Sequence, residues 1–144
     1  MNTPVSIWYD QEGDFLEIGL GTPTHTYGEH LRPDIIIHHD TKTDEIKLIS
    51  FLDITHLPRN IIFPLPSLHI CYDKRKDVLD LSFGPVDSAR LVKVKKDIFQ
   101  RVDIATGEPC GLTIQHLTKG SHKFVDEDII ISPHLLQAPA VATA

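Results

Sequence analysis

The chain reads as a mainly β protein, and three observations say so. Short runs alternate apolar and polar residues with the two-residue period of a strand. Turn-forming residues recur between those runs. And one pattern occurs twice, with Tyr9-Asp10-Gln11-Glu12-Gly13-Asp14-Phe15-Leu16 returning as Tyr72-Asp73-Lys74-Arg75-Lys76-Asp77-Val78-Leu79, an offset of 63 residues. The correspondence continues without an insertion through Gly21 and Gly84, Asp34 and Asp97, Asp40 and Asp103, Thr43 and Thr106, Glu45 and Glu108, and Thr55 and Thr118. Half of a 144-residue chain buries too little apolar surface to be stable alone, so the two copies are expected to pack on each other. The predicted fold is therefore two pseudo-twofold-related, four-stranded antiparallel units forming a sandwich or a barrel. Short helices are expected only at the linker or C-terminus. Residues 1–66 form the first unit with its linker, 67–137 the second, and 138–144 a frayed tail, all within one compact domain.

The elements follow in order. Val5-Ser6-Ile7-Trp8-Tyr9 alternates and is rich in β-forming types. Gln11-Glu12-Gly13-Asp14 turns the chain, and Phe15 to Leu20 returns with Leu16, Ile18 and Leu20 on one face, a β-hairpin. The second copy places Ile70 and Tyr72 before the turn and Leu79, Leu81 and Phe83 after it. These ten apolar residues (Ile7, Tyr9, Leu16, Ile18, Leu20 and their five counterparts) are the expected core. A second hairpin runs from Asp34 through the Asp40–Glu45 turn to Leu52, and again from Asp97 through Asp103–Glu108 to Leu117. Residues 21–33 are polar and rich in Pro and Gly, and are expected to be an exposed loop. The linker around Pro58, Pro64 and Pro66 excludes a continuous helix but is apolar enough to lie on the protein. Its counterpart after the second unit ends in Ile129-Ile130-Ile131, which reads as a strand.

Charge separates the two copies. Residues 1–66 carry 4 Lys+Arg against 10 Asp+Glu, whereas residues 67–144 carry 10 of each. No broad cationic surface for nucleic acid results. The one basic run, Arg90-Leu-Val-Lys93-Val-Lys95-Lys96, alternates as a strand does. Lysines there guard a sheet edge against pairing, and the competing reading makes Arg90, Lys93, Lys95 and Lys96 a partner-binding surface. No apolar run reaches the length of a membrane span, and no signal peptide is visible at Met1-Asn2-Thr3-Pro4. A cytoplasmic setting with reduced thiols at Cys71 and Cys110 is expected.

The pattern Tyr-Asp-x3-Asp-x-Leu, followed by an acidic turn and a further hydrophobic strand, resembles a small bacterial family known only as domain-of-unknown-function family 2283. Tyr9-Asp10 with Asp14-Phe15-Leu16, Tyr72-Asp73 with Asp77-Val78-Leu79, and Asp103 to Gly107-Glu108 continuing to Gly111-Leu112-Thr113-Ile114 carry the resemblance. It implies a compact, mainly β unit with no established activity, here fused as a tandem dimer. Family members often end on Gly-x-Glu. In this chain Ser50 and Thr113 occupy the Glu position, and Leu48 replaces the Gly in the first copy.

Four repeated carboxylates, Asp10, Asp14, Asp73 and Asp77, are candidates for a metal or for acid–base work. Turn chemistry competes, since Asp beside a hairpin accepts backbone N–H bonds and tolerates unusual dihedrals. The change from Gln-Glu-Gly to Lys-Arg-Lys between them favours turn chemistry. Tyr9 and Tyr72 are expected to be half-buried, with hydroxyls at the rim. His38, His39 and Asp40 are the densest metal-ligating cluster, but adjacent strand residues point to opposite faces. No nucleophile elbow, phosphate-cradling loop or zinc spacing occurs, so no catalytic residue and no cofactor is assigned. The expected function is a non-enzymatic protein-binding or self-assembly module, with no nucleic-acid or membrane partner. An antitoxin-like regulator and a metal- or ligand-binding enzyme using the first-copy histidines are the alternatives.

Overall fold

The computed structural model describes residues 2–57, 60–63, 68–84, 88–119 and 122–136, with only the backbone of 60–63 and 122–128. The tail expected to fray, 138–144, and linker residues 58–59 and 64–66 lie outside the described residues.

The first unit supplies β1 (Thr3–Asp10), β2 (Phe15–Leu20), β3 (Thr26–Arg32), β4 (Ile35–Asp40) and β5 (Ile46–Leu52). A single 3-10 turn, Ile54–His56, leads to β6 (Asn60–Phe63). The second unit repeats the series as β7 (Leu68–Asp73), β8 (Val78–Phe83), β9 (Ala89–Lys95), β10 (Ile98–Asp103) and β11 (Pro109–Gln115). It ends with β12 (His122–Ile131) and a 3-10 turn at Pro133–Leu136. The protein is mainly β, and among the described residues its short helical turns lie at the linker and the C-terminal segment, where they were expected. All pairings are antiparallel, in two open sheets ordered β12-β1-β2-β5-β4-β3 and β6-β7-β8-β11-β10-β9, so the arrangement is sandwich-like and not a closed barrel.

Each unit thus contributes five antiparallel strands, one more than the sequence suggested, and they do not run as a simple meander: β2 pairs with β5 and β8 with β11, so β3 and β9 are reached by a crossover to the far edge. Residues expected as an exposed loop contain β3, paired to β4 from Thr26↔Asp40 to Arg32↔Ile35. Its sequence, Thr-Tyr-Gly-Glu-His-Leu-Arg, hides the strand because five of its seven residues are exposed on both faces. An outermost strand that buries neither face has no alternation to display.

The sixth strand of each sheet comes from the other unit. β6 follows the first five strands yet pairs with β7, and β12 follows the second five yet pairs with β1. The exchange is register-exact. Ile7 faces Phe124 and Trp8 faces Lys123, while their counterparts Ile70 and Cys71 face Ile61 and Asn60, each shifted by the same 63 residues. Two copies of one unit that trade their last strands account for this pattern directly, as in a domain-swapped dimer joined into one chain.

The core lies between the sheets. All ten residues expected there are buried, joined by Ile35, Ile37, Ile46, Ile49, Phe51, Leu112, Ile129 and Ile131 among others. Burying an aliphatic or aromatic side chain of this size contributes roughly 1.5–3 kcal/mol. Beyond a bulge between Pro4 and Val5, β12 also reaches the second sheet. The Ile130 N–H donates to Gln100 Oε1 at 2.8 Å and the Ser132 N–H to the Pro109 carbonyl at 2.9 Å. The Gln100 amide donates to the Gly111 carbonyl at 2.6 Å, so this buried side chain ties the sheets together. Each unit keeps one glycine in an equivalent cross-strand pair, Gly19↔Leu48 in one and Gly111↔Ser82 in the other. At Gly111 a Cβ would collide with the Leu81 carbonyl oxygen of the neighbouring strand, which accounts for the Gly there.

Candidate functional site

The repeated carboxylates sit where each chain segment leaves its own sheet. Asp14 and Asp77 close the β1–β2 and β7–β8 turns in the left-handed region, at φ 50° and 55°. Asp14 accepts the Tyr9 hydroxyl at 3.2 Å, the Thr55 N–H at 3.1 Å and the Thr55 hydroxyl at 2.5 Å. Asp77 accepts the Tyr72 hydroxyl at 2.7 Å, the Thr118 N–H at 3.1 Å and the Thr118 hydroxyl at 2.9 Å. Thr55 lies in the 3-10 turn leading to β6, and Thr118 in the turn leading to β12. Each Tyr–Asp–Thr cluster therefore pins a hairpin turn to the segment that crosses into the other sheet.

The two clusters are neighbours. The Gln11 side-chain amide of the first unit donates to the Thr118 carbonyl of the second at 3.1 Å. Burial first, then the Asp14 carboxylate, raises the Tyr9 hydroxyl to a pKa of about 12, and the charge of Asp77 adds to the effect. Burial also pushes Tyr72 upward, ahead of its bond to Asp77. Both tyrosines are 4% exposed or less, deeper than the rim position expected of them. Their hydroxyls find acceptors inside the fold, which removes the need to reach water. Neutral phenols held by carboxylate acceptors are suited to structure and poorly suited to proton abstraction near neutral pH.

The outer carboxylates also serve turns. Asp10 accepts the Glu12 N–H at 3.1 Å and Asp73 the Arg75 N–H at 3.0 Å. Asp40 accepts the Lys42 and Thr43 N–H groups at 2.8 and 3.0 Å, as Asp103 accepts the Ala105 N–H at 2.8 Å. A further bond from the Thr24 hydroxyl, the largest cause, and those backbone bonds hold the Asp40 carboxyl at a pKa of about 2.

The candidate metal ligands part company along β4. His38 faces outward, with Nε2 3.2 Å from the Ser50 hydroxyl. His39 faces inward and is 7% exposed, with Nδ1 3.0 Å from the Asp44 carbonyl, Nε2 3.4 Å from Glu29, and its ring stacked on Tyr27. Asp40 is engaged in its turn. Asp14, Asp53 and His56 do bring ligand atoms within 4.8 Å of one another, but Asp14 and His56 already share the Thr55 hydroxyl. In the second unit the Asp53 and His56 positions are His116 and Lys119.

On the outer face of the second sheet the places of His38 and Ser50 are taken by Arg101 and Thr113. The Arg101 guanidinium donates to Asp80 at 3.3 Å and to the Thr113 hydroxyl at 3.4 Å. This buried polar group was not singled out in the sequence. Arg101 and Thr113 at the repeat positions of His38 and Ser50 were the available signal. Neither Cys71 nor Cys110 is in a disulfide, and burial raises the Cys110 thiol.

The basic run forms β9, the outermost strand of its sheet, bonded on one side to β10. Arg90, Lys93 and Lys95 are exposed there, with Lys96 exposed in the turn that follows, and two apolar residues between them are exposed too, Leu91 at 49% and Val92 at 38%. Among the described residues, no helix is long and apolar enough to cross a membrane. Comparison with models of known protein families finds no match, comparison with curated proteins finds none, and comparison with solved structures finds none.

Proposed function

We propose that the chain is a non-enzymatic binding module, and that its partner is a protein presenting an acidic extended segment to the β9 edge. The observation that carries this reading is the composition of that edge: exposed Leu91 and Val92 set among Arg90, Lys93, Lys95 and Lys96. Lysines alone would guard an edge against pairing. Apolar residues left exposed between them favour an added strand, whose backbone bonds give affinity and whose carboxylates meet the lysines. The spending of the repeated Asp, Tyr and Thr residues on turns and crossovers supports a scaffold role for them. Kinship with domain-of-unknown-function family 2283 is part of the same proposal and rests on the two Tyr-Asp-x3-Asp patterns.

The test reverses Lys93, Lys95 and Lys96 to Glu together. Tagged wild-type and variant proteins are used to capture partners from the host lysate at low and high salt, with circular dichroism confirming that the variant is folded. A stoichiometric partner held by the wild type, and lost on charge reversal or at high salt, supports the proposal. Equal capture by both proteins, or no partner at all, removes it.

A further inference from the structure

A cavity of about 110 Å³ lies between the sheets. Ile7 and Tyr9 of β1 form one wall, and Ile98, Ile114 and Leu117 of the second unit form the other. All five are 7% exposed or less, so the interior is apolar. The mouth is polar, with Lys96 and Gln115. Asp97 also lines it, but its carboxylate is engaged by His116 Nδ1 at 2.9 Å. No ion pair to Lys96 occurs among the described residues, and it stands exposed beside the opening.

The equivalent place in the other half differs at the residues that matter. Phe51 stands for Ile114, Leu52 for Gln115 and Pro33 for Lys96. Phe51 and its neighbour Ile35 are 0% exposed. A phenylalanine ring stands in place of the isoleucine side chain, and a proline in place of the cation. An unsupported void lined by well-packed neighbours would cost stability. The half that has this void also has at its mouth a cation with no ion pair among the described residues, whereas the other half has a larger ring and no cation at the equivalent positions.

We propose that this cavity binds a small free monocarboxylate, with a branched hydrocarbon end among Ile7, Ile98 and Ile114 and its carboxylate against Lys96. An enclosed apolar cavity of ~150 Å³ accommodates benzene, so about 110 Å³ open at one end suits a chain of roughly four or five carbons. The site does not depend on the partner reading of the β9 edge.

The test is a titration with sodium 3-methylbutanoate, followed by the isoleucine methyl signals of the full chain in carbon–proton NMR spectra. Saturable shifts at Ile7, Ile98 and Ile114, with Ile35 unmoved, are expected. Ile114→Phe, which copies the residue of the other half and puts a larger ring at the cavity wall, abolishes them. Lys96→Gln, an exposed change that leaves the fold intact, weakens binding about fivefold. The isosteric amine, 3-methylbutylamine, binds more weakly than the acid. Shifts that never saturate, unchanged binding in Lys96→Gln, or equal binding of the amine overturns the proposal. Should Ile114→Phe fail to fold, the Lys96→Gln and amine comparisons decide it.

Discussion

Replacing Asp14 by Ala removes the shared acceptor of Tyr9, the Thr55 N–H and the Thr55 hydroxyl in one step. A hydrogen bond to a charged group contributes about 1.5–3 kcal/mol, and a buried hydroxyl left without an acceptor costs about 1–3 kcal/mol. The three bonds share one carboxylate, so their contributions are not additive. Alanine at φ 50° adds roughly 1 kcal/mol of backbone strain. We expect a loss of about 3–5 kcal/mol, a large fraction of the ~5–15 kcal/mol typical of a folded domain. Asp77→Ala should cost a similar amount, because Tyr72 and Thr118 reproduce the geometry. Urea unfolding followed by Trp8 fluorescence and by circular dichroism measures both, with a lowered midpoint and an unchanged slope as the sign of a pure stability change. In a double-mutant cycle, Asp14 and Thr55 (as Thr55→Val) should couple by about 1–2 kcal/mol. Losses below ~1 kcal/mol in both single variants would refute the pinning role, since that is the range of an ordinary surface change.

Three further outcomes are expected. Gly111→Ala places a methyl group against the Leu81 carbonyl oxygen and backbone, and should destabilise by about 3 kcal/mol or more, read as a fall in thermal midpoint. Ile129→Ala empties a fully buried position in the exchanged strand and should cost about 2–4 kcal/mol in the same measurement. Raising the pH should weaken the fold in a defined window: Tyr9 titrates near 10 when unfolded and about 12 when folded, so its contribution is intact below pH 10 and is lost as pH climbs towards 12. Tyr9→Phe should flatten that alkaline fall in urea midpoints recorded from pH 8 to 12.

The sequence made some of this structure legible and hid the rest for identifiable reasons. Leu16, Ile18, Leu20 and their counterparts announce themselves because one face of each strand is buried and the other is not. Lys93 and Lys95 mark β9 as an edge because charges alternate with apolar residues there. β3 has no such signature, since Tyr27, Gly28, Glu29 and His30 are all exposed. The strand exchange is invisible to local pattern, because whether Ile61 and Phe124 pair within their own unit or the other depends on the path of the crossover. Thr55 and Thr118 were visible as a repeated pair, but their role needed the left-handed Asp14 and Asp77 beside them. The cavity beside Ile114 was hidden because alternation marks which residues face the core, not how completely they fill it. At the candidate site, the separation of His38 from His39 followed from the strand period alone. The stacking of His39 on Tyr27 did not, because it requires β3.

The reciprocal exchange of β6 and β12 is the central claim, and backbone proton contacts in a nuclear Overhauser spectrum test it most directly. The account predicts cross-strand contacts between Ile7 and Phe124 and between Val5 and Asp126, matched by contacts between Ile70 and Ile61. Contacts that place residues 122–126 beside any strand other than β1, or none joining them to residues 5–9, would contradict it.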